Sequence, residues 1–390
     1  MVRSRIRAFA AVCIVAATAA AVIGILVVSV SDQKAAKCDF IEYWVAGFQL
    51  IHHANPYDVA DALKLERRSG LEGNKPRITF SPPLLLCPFL PLGLVSPKVG
   101  LILWLVILIL CLLVSIWIIW VLNGRPDNGL HFCGYVFAPA LACLMAGQLG
   151  IFLLLAIVLF LYFHEGHPLL AGVSLAPCVW KPHLFLPFFI VLFLWSARRK
   201  EWRILAGFLA VVLGSSLITL RLDPQVWYQY SRMMSQTGVL HGFVPTLSVA
   251  IRFLVDPGSI WLQFVPELGA CLWAVWYFWT RRTRWIWIDQ GMLVLLVSAV
   301  CTPYAWFSDE AMLLPAVMTG VYRATNSQRS LLPIFLAGTL ALIEIISIGD
   351  MASKYYLWTA PCWLAWYLYA THEPKKQPQA IPPEAMAAID

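Results

Sequence analysis

The chain has 390 residues, 60% of them hydrophobic and only 13% charged, with a mean hydropathy of +0.74 and a formal net charge of +7. So little polar surface cannot cover a soluble globule of this size, which excludes a soluble globular protein and points to a polytopic integral membrane protein. Apolar runs of about 20 residues suit helices crossing a hydrocarbon core of roughly 30 Å, and none shows the alternation of a lipid-facing barrel, so the expected fold is all-α, a bundle of transmembrane helices.

A basic start (Arg3, Arg5, Arg7) leads into a first apolar run from about Ala8 to Val30. This run is longer than the roughly 7–15 apolar residues of a signal peptide and is read as a retained span. The segment DFIEYWVAGFQLIHHANPYD, Asp39 to Asp58, follows it. From Asp39 to about His52 the pattern is helical, with Phe40, Trp44, Val45, Phe48 and Ile51 on one side and Glu42, Gln49 and His53 on the other. Such a helix is expected to lie in the membrane interface with its aromatic residues at headgroup depth. Asn55-Pro56-Tyr57-Asp58 makes a turn, because proline fixes φ and disfavours helix in the residue before it. A second, polar helix is expected over Val59 to Ser69.

Further apolar segments fall near 84–122, 131–146, 149–163, 168–180, 183–197, 203–220, 259–279, 285–301, 309–322, 331–347 and 355–371, which with the first makes about twelve spans. They form one membrane domain over 1–372, with large outer loops at 31–83 and 221–258 and a Pro-rich tail, 373–390, that reads as a disordered cytoplasmic end. Basic clusters such as Arg198-Arg199-Lys200 and Arg281-Arg282 gather in short loops on one side, which places both termini in the cytoplasm and the two large loops outside the inner (plasma) membrane. The ten cysteines form no C-x-x-C pair or metal-ligand spacing and read as small core residues; Cys38 and Cys87 flank the first outer loop and pair only if that side is oxidising.

The outer loops hold the residues able to do chemistry. Asp39 has two open roles: a helix N-cap, favoured by its short acceptor and the helix dipole, or a general base poised at the membrane edge. Lys181, in VWKPHLF, either snorkels to the headgroups or meets an anion such as a lipid phosphate. Arg252 and His241 lie on a face where cations are disfavoured, with solvated or headgroup-bound roles as the default. Asp309 and Glu310 cap a helix or hold a substrate hydroxyl, and Gln148 after Gly147 serves a tight turn or a polar ligand.

In this order the segments resemble glycosyltransferase family 87, polytopic enzymes of the GT-C fold that use polyprenyl-phosphate-linked sugars. The resemblance is carried by Asp39-Phe40, Tyr43-Trp44, Ala46-Gly47, the Asn55-Pro56-Tyr57-Asp58 turn, Phe80 with Pro82-Pro83, Pro91-Leu92, Gly147-Gln148, Lys181-Pro182, and Pro303 with Trp306 and Asp309. It runs from about residue 38 to 322. Val244-Pro245-Thr246-Leu247-Ser248 before Arg252 departs from the Asn-Gln-Ser segment many members carry. The resemblance implies inverting transfer of one sugar, most often mannose, from a polyprenyl phosphate to a hydroxyl of a lipid-linked or cell-envelope glycan. Asp39 would be the base, Lys181 and Arg252 the donor-phosphate ligands, and Glu42, Tyr43, Trp44, Asn55, Tyr57, Asp58, Gln148, His241 and Asp309 substrate contacts. Its partners are then the lipid donor, the glycan acceptor and membrane lipids, with no nucleic acid, no cofactor and no obligatory metal.

Three other functions share this pattern: a transporter or flippase, a transferase using an arabinofuranose donor, and a ligase that moves a preassembled lipid-linked oligosaccharide. Carriers place polar sites near the midplane and show repeated halves, whereas here polar residues gather at one face.

Overall fold

The computed structural model describes residues 31–71, 73–326, 331–351 and 355–372, together with Gly24. The expected first span, apart from Gly24, and the expected cytoplasmic tail lie outside the described residues. Within them the regular structure is helical, with no strand. The main helices are α1 (Phe40–Ile51), α2 (Val59–Arg68), α3 (Pro97–Leu122), α4 (Ala138–Ala146), α5 (Gly150–Phe163), α6 (Pro168–Ser174), α7 (Leu186–Arg199), α8 (Trp202–Leu222), α9 (Val226–Thr237), α10 (Leu247–Val255), α11 (Val265–Arg281), α12 (Met292–Cys301), α13 (Leu314–Asn326), α14 (Leu332–Ile346) and α15 (Thr359–Thr371).

The expected twelve spans are not found as twelve long helices. Among the described residues only α3 and α8 are long and apolar enough to cross a bilayer. The reason is local. Several apolar segments are broken in two: Leu130–Val136 is a tight 3-10 segment before α4, whose first turn holds Pro139, and Ala176–Trp180, with Pro177, is another after α6. Proline removes a donor and clashes with the preceding turn, so a continuous apolar stretch in the sequence becomes two short rods. The second outer loop is not open chain but holds α9 and α10.

α3 turns Leu103, Ile107, Leu110, Val114 and Trp117 outward, and α8 exposes Leu209, Leu213, Leu217 and Ile218. In water these stripes would be aggregation sites; against lipid chains they cost nothing to leave uncovered. α8 meets α6 backbone to backbone. A Cβ on Gly172 would come within 1.9 Å of the Ile204 carbonyl oxygen, and one on Gly207 within 2.2 Å of that of Leu169. Only glycine permits so close a crossing.

The aromatic face of α1 meets protein instead of lipid. Phe40, Tyr43, Trp44, Val45 and Leu50 are all buried in protein. The cause is again close approach: a Cβ on Gly47 would lie 2.0 Å from the Phe89 oxygen, and one on Gly93 2.5 Å from the Phe48 nitrogen. The short helix Leu90–Gly93 thus presses directly on α1 and covers it. α2 forms as expected over the polar stretch, capped by Asp58. Cys38 and Cys87 are both free thiols; the Cys38 Sγ lies 3.9 Å from the Met145 oxygen.

Candidate active site

A cavity of about 340 Å³ lies where the start of α1, the strand-like stretch 77–82, Gln148, the turn 180–183, α9 and the turn 303–306 converge. Asp39 stands at the N-cap position of α1, yet its side chain makes no capping hydrogen bond. Its backbone N–H donates to the Ala146 oxygen at 2.9 Å, which fastens the start of α1 to the end of α4.

Gly147 explains why that end is placed so. It closes α4 at φ +70°, a left-handed conformation that costs other L-residues about 1–2 kcal/mol, and its carbonyl accepts the Trp104 indole N–H at 2.8 Å. The chain therefore reverses, and Gln148 faces α1. The Gln148 amide donates to Asp39 Oδ2 at 2.7 Å and accepts from the Tyr43 hydroxyl at 2.9 Å. Arg77 Nε donates to Asp39 Oδ1 at 3.1 Å, while its Nη1 reaches the Ala36 oxygen and its backbone N–H reaches Glu66 Oε1. Asp39 is thus aimed by two donors, one on each oxygen, and keeps 38% of its side-chain surface exposed. A carboxylate offers about four lone-pair directions, so two remain for a substrate proton.

Glu42 lines the same cavity one turn along. Burial, reinforced by the charge of Asp39, pushes its carboxyl up to about 8, so it carries a proton at neutral pH. On the opposite wall Lys181 Nζ donates to Asp309 Oδ1 at 2.6 Å, with side chains 12% and 1% exposed. The other oxygen of Asp309 accepts the backbone N–H of Trp306 at 2.9 Å, which fixes the turn after Pro303. His183 completes this wall. Its buried Nε2 has no hydrogen-bond partner among the described residues.

Of the residues singled out from sequence, Asp39, Glu42, Tyr43, Gln148 and Lys181 meet at this cavity. Asp309 does not line it; the residue acts from behind Lys181 and holds no surface for a hydroxyl. Trp44 points away and donates to the Val95 oxygen. Asn55 accepts the Tyr57 N–H, Tyr57 donates to the Ser81 oxygen, and Asp58 accepts the Asp61 N–H as the α2 cap, all beside a neighbouring chamber. His241 is exposed, its Nδ1 3.3 Å from the Gly238 oxygen. Arg252, expected at the donor phosphate, is fully buried away from the cavity lining. Its guanidinium donates to Gln263 Oε1 at 2.7 Å and to the backbone oxygens of Leu240, His241 and Gly242. The carbonyls of the 240–242 turn and the Gln263 amide oxygen take up both terminal nitrogens, while Nε is buried with no partner among the described residues, so the side chain serves as a scaffold for that loop.

Arg77, His183 and Tyr304 are among the cavity residues that the sequence reading passed over. For Arg77 a signal existed: an arginine three residues before Phe80, on a face where the positive-inside bias disfavours cations, though Lys75, Arg67 and Arg68 in the same loop masked it. No group of three or more His, Cys, Asp or Glu able to hold a metal occurs among the described residues.

Comparison with curated proteins and with solved structures found no match. A family model does match: glycosyltransferase family 87, over residues 80–321, which takes in Gln148, Lys181, Arg252 and Asp309 but not Asp39, Glu42 or Arg77. With more than half of its length covered by that model, in an all-helical fold with lipid-suited outer faces, the chain belongs to glycosyltransferase family 87.

Proposed function

We propose that this glycosyltransferase moves a single sugar, mannose in our reading, from a polyprenyl-phosphate donor to a hydroxyl of a lipid-linked or cell-envelope glycan, with inversion. The observation that carries the reading is the state of Asp39. Its carboxylate is freed from helix capping, aimed by Gln148 and Arg77, and left partly open to a cavity whose far wall holds Lys181.

In one displacement the acceptor oxygen bonds to the anomeric carbon, its proton passes to Asp39, and the bond from that carbon to the phosphate oxygen breaks with its electron pair leaving on the phosphate. The phosphate is already a good leaving group. The protein's task is to hold the hydroxyl in line and to neutralise the developing charge. Lys181 supplies one cation, and Arg77 takes the place expected of Arg252. Aromatic and apolar lining from Phe80, Trp180 and Phe264 suits the isoprenoid segment next to the phosphate. The site faces the extracytoplasmic side of a plasma-membrane protein with both termini in the cytoplasm, and the reaction needs no metal.

Membranes containing the protein, given labelled polyprenyl-phosphate mannose and a lipid acceptor extract, are expected to form a labelled glycolipid, with or without EDTA. The Asp39→Asn variant at equal abundance is expected to form almost none. Undiminished transfer by that variant would falsify the assignment of the base.

A further inference from the structure

α9 has two working faces. Tyr230 and Met234 line the cavity of Asp39, whereas Gln225, Tyr228, Gln229, Arg232 and Gln236 line a second chamber of about 390 Å³, closed opposite by Asn55, Tyr57 and Asp58. Its volume falls within the roughly 300–1,000 Å³ of small-molecule sites. The two chambers share one wall: the rings of Tyr57 and Tyr230 pack with centroids 5.3 Å apart, and the Tyr57 hydroxyl is tied to the oxygen of Ser81 on the Asp39 side.

Their chemistries differ. The first chamber sets a few charged groups among aromatic and apolar walls. The second offers four primary amides, from Asn55, Gln225, Gln229 and Gln236, together with the phenol of Tyr228 and one charge of each sign, Arg232 and Asp58. An amide side chain presents donors and an acceptor together, as a polyol requires, and the balanced charge gives no advantage to an anion. Gln229 also lines the chamber, and its Oε1 is buried with no hydrogen-bond partner among the described residues. Tyr228, 67% exposed, presents a ring on which a sugar face can lie.

We infer that the second chamber is a subsite for a neutral oligosaccharide, which holds the inner sugars of the acceptor while its terminal hydroxyl reaches Asp39 past the Tyr57–Tyr230 wall. The acceptor is then a glycan of several sugars, not a single glycosyl lipid. The link to acceptor chemistry rests on the proposed glycosyl transfer; the capacity of the chamber to bind sugar does not.

The test uses the full-length protein in detergent micelles, titrated by saturation-transfer NMR with mannose and glucose and with the linear tetrasaccharides of each. One tetrasaccharide is expected to bind at least tenfold more tightly than its monosaccharide. The Gln225→Ala/Gln236→Ala variant, in which both side chains are exposed and removable without unfolding, is expected to weaken that binding about tenfold. In the transfer assay the same variant is expected to raise KM for a tetrasaccharide-bearing lipid about tenfold more than for a single-sugar lipid. Tetrasaccharide binding that is absent from the wild type, or unchanged in the variant, overturns the subsite. Variant-sensitive binding without any transfer from a polyprenyl-phosphate sugar keeps the subsite and overturns the proposed reaction, while transfer with variant-insensitive binding does the reverse.

Discussion

The Lys181–Asp309 pair offers the sharpest energetic test of the cavity wall. Both side chains are almost wholly withdrawn from water, 12% and 1% exposed, at a separation of 2.6 Å. Removing one partner of such a pair strands a charge, a loss of about 3–5 kcal/mol, whereas replacing both by apolar groups is close to neutral. Asp309→Asn keeps an oxygen for the Trp306 N–H, so it isolates the loss of charge. Because the cavity side of Lys181 retains some solvent, its stranded ammonium falls at the lower end, about 3 kcal/mol. Lys181→Met strands a carboxylate with a single remaining donor and is expected to cost at least as much. The double variant Lys181→Met/Asp309→Asn removes both charges and should lose much less than the sum of the single losses, with a coupling of about 2–3 kcal/mol, the upper end for residues in contact. Unfolding free energies of the four proteins, measured in one detergent with an internal fluorescence probe, give this cycle directly. A double variant as unstable as the two single losses added together, with coupling below about 0.5 kcal/mol, would refute the buried-pair account.

Two further outcomes follow from the same wall and its neighbours. Glu42, raised from 4.5 to about 8, takes up a proton on folding, so its contribution to stability is fully present below pH 4.5 and is lost as pH rises toward 8. Glu42→Gln has no such loss: it should match the wild type near pH 4 and exceed it at pH 7 by up to about 3 kcal/mol, read as melting curves that diverge with pH, and parallel curves would contradict it. Gly147→Ala forces a side chain into the left-handed region and sets its Cβ 2.9 Å from that of Phe40, so a loss of about 1–3 kcal/mol is expected, together with reduced transfer as Gln148 moves from Asp39; unchanged melting and transfer would count against the pivot.

The features legible in the sequence are those set by neighbours along the chain. The turn at Asn55 to Asp58, the polar helix after it and the Gly147-Gln148 reversal follow from local backbone chemistry, and they form where they were expected. The surroundings of α1 were not legible, because an apolar helix face reads the same whether it meets lipid or protein; only the contact of Gly47 with residue 89 decides it. For the same reason apolar segments interrupted by proline passed for whole spans. Ion partners were equally hidden. Lys181 and Asp309 are 128 residues apart, and neither carries a sign of the other. Arg252 read as a free cation because three of its four acceptors are main-chain oxygens, which no side-chain pattern reveals.

The site is stitched from distant parts of the chain: Asp39 meets Arg77 across 38 positions and Gln148 across 109, and Lys181 waits for Asp309. During synthesis Asp39 therefore emerges long before the amide that orients it, and the lysine long before its counter-ion. A polypeptide stalled or cleaved ahead of residue 309 carries Asp39 but not the finished cradle, so the cavity wall is completed only in about the last fifth of synthesis.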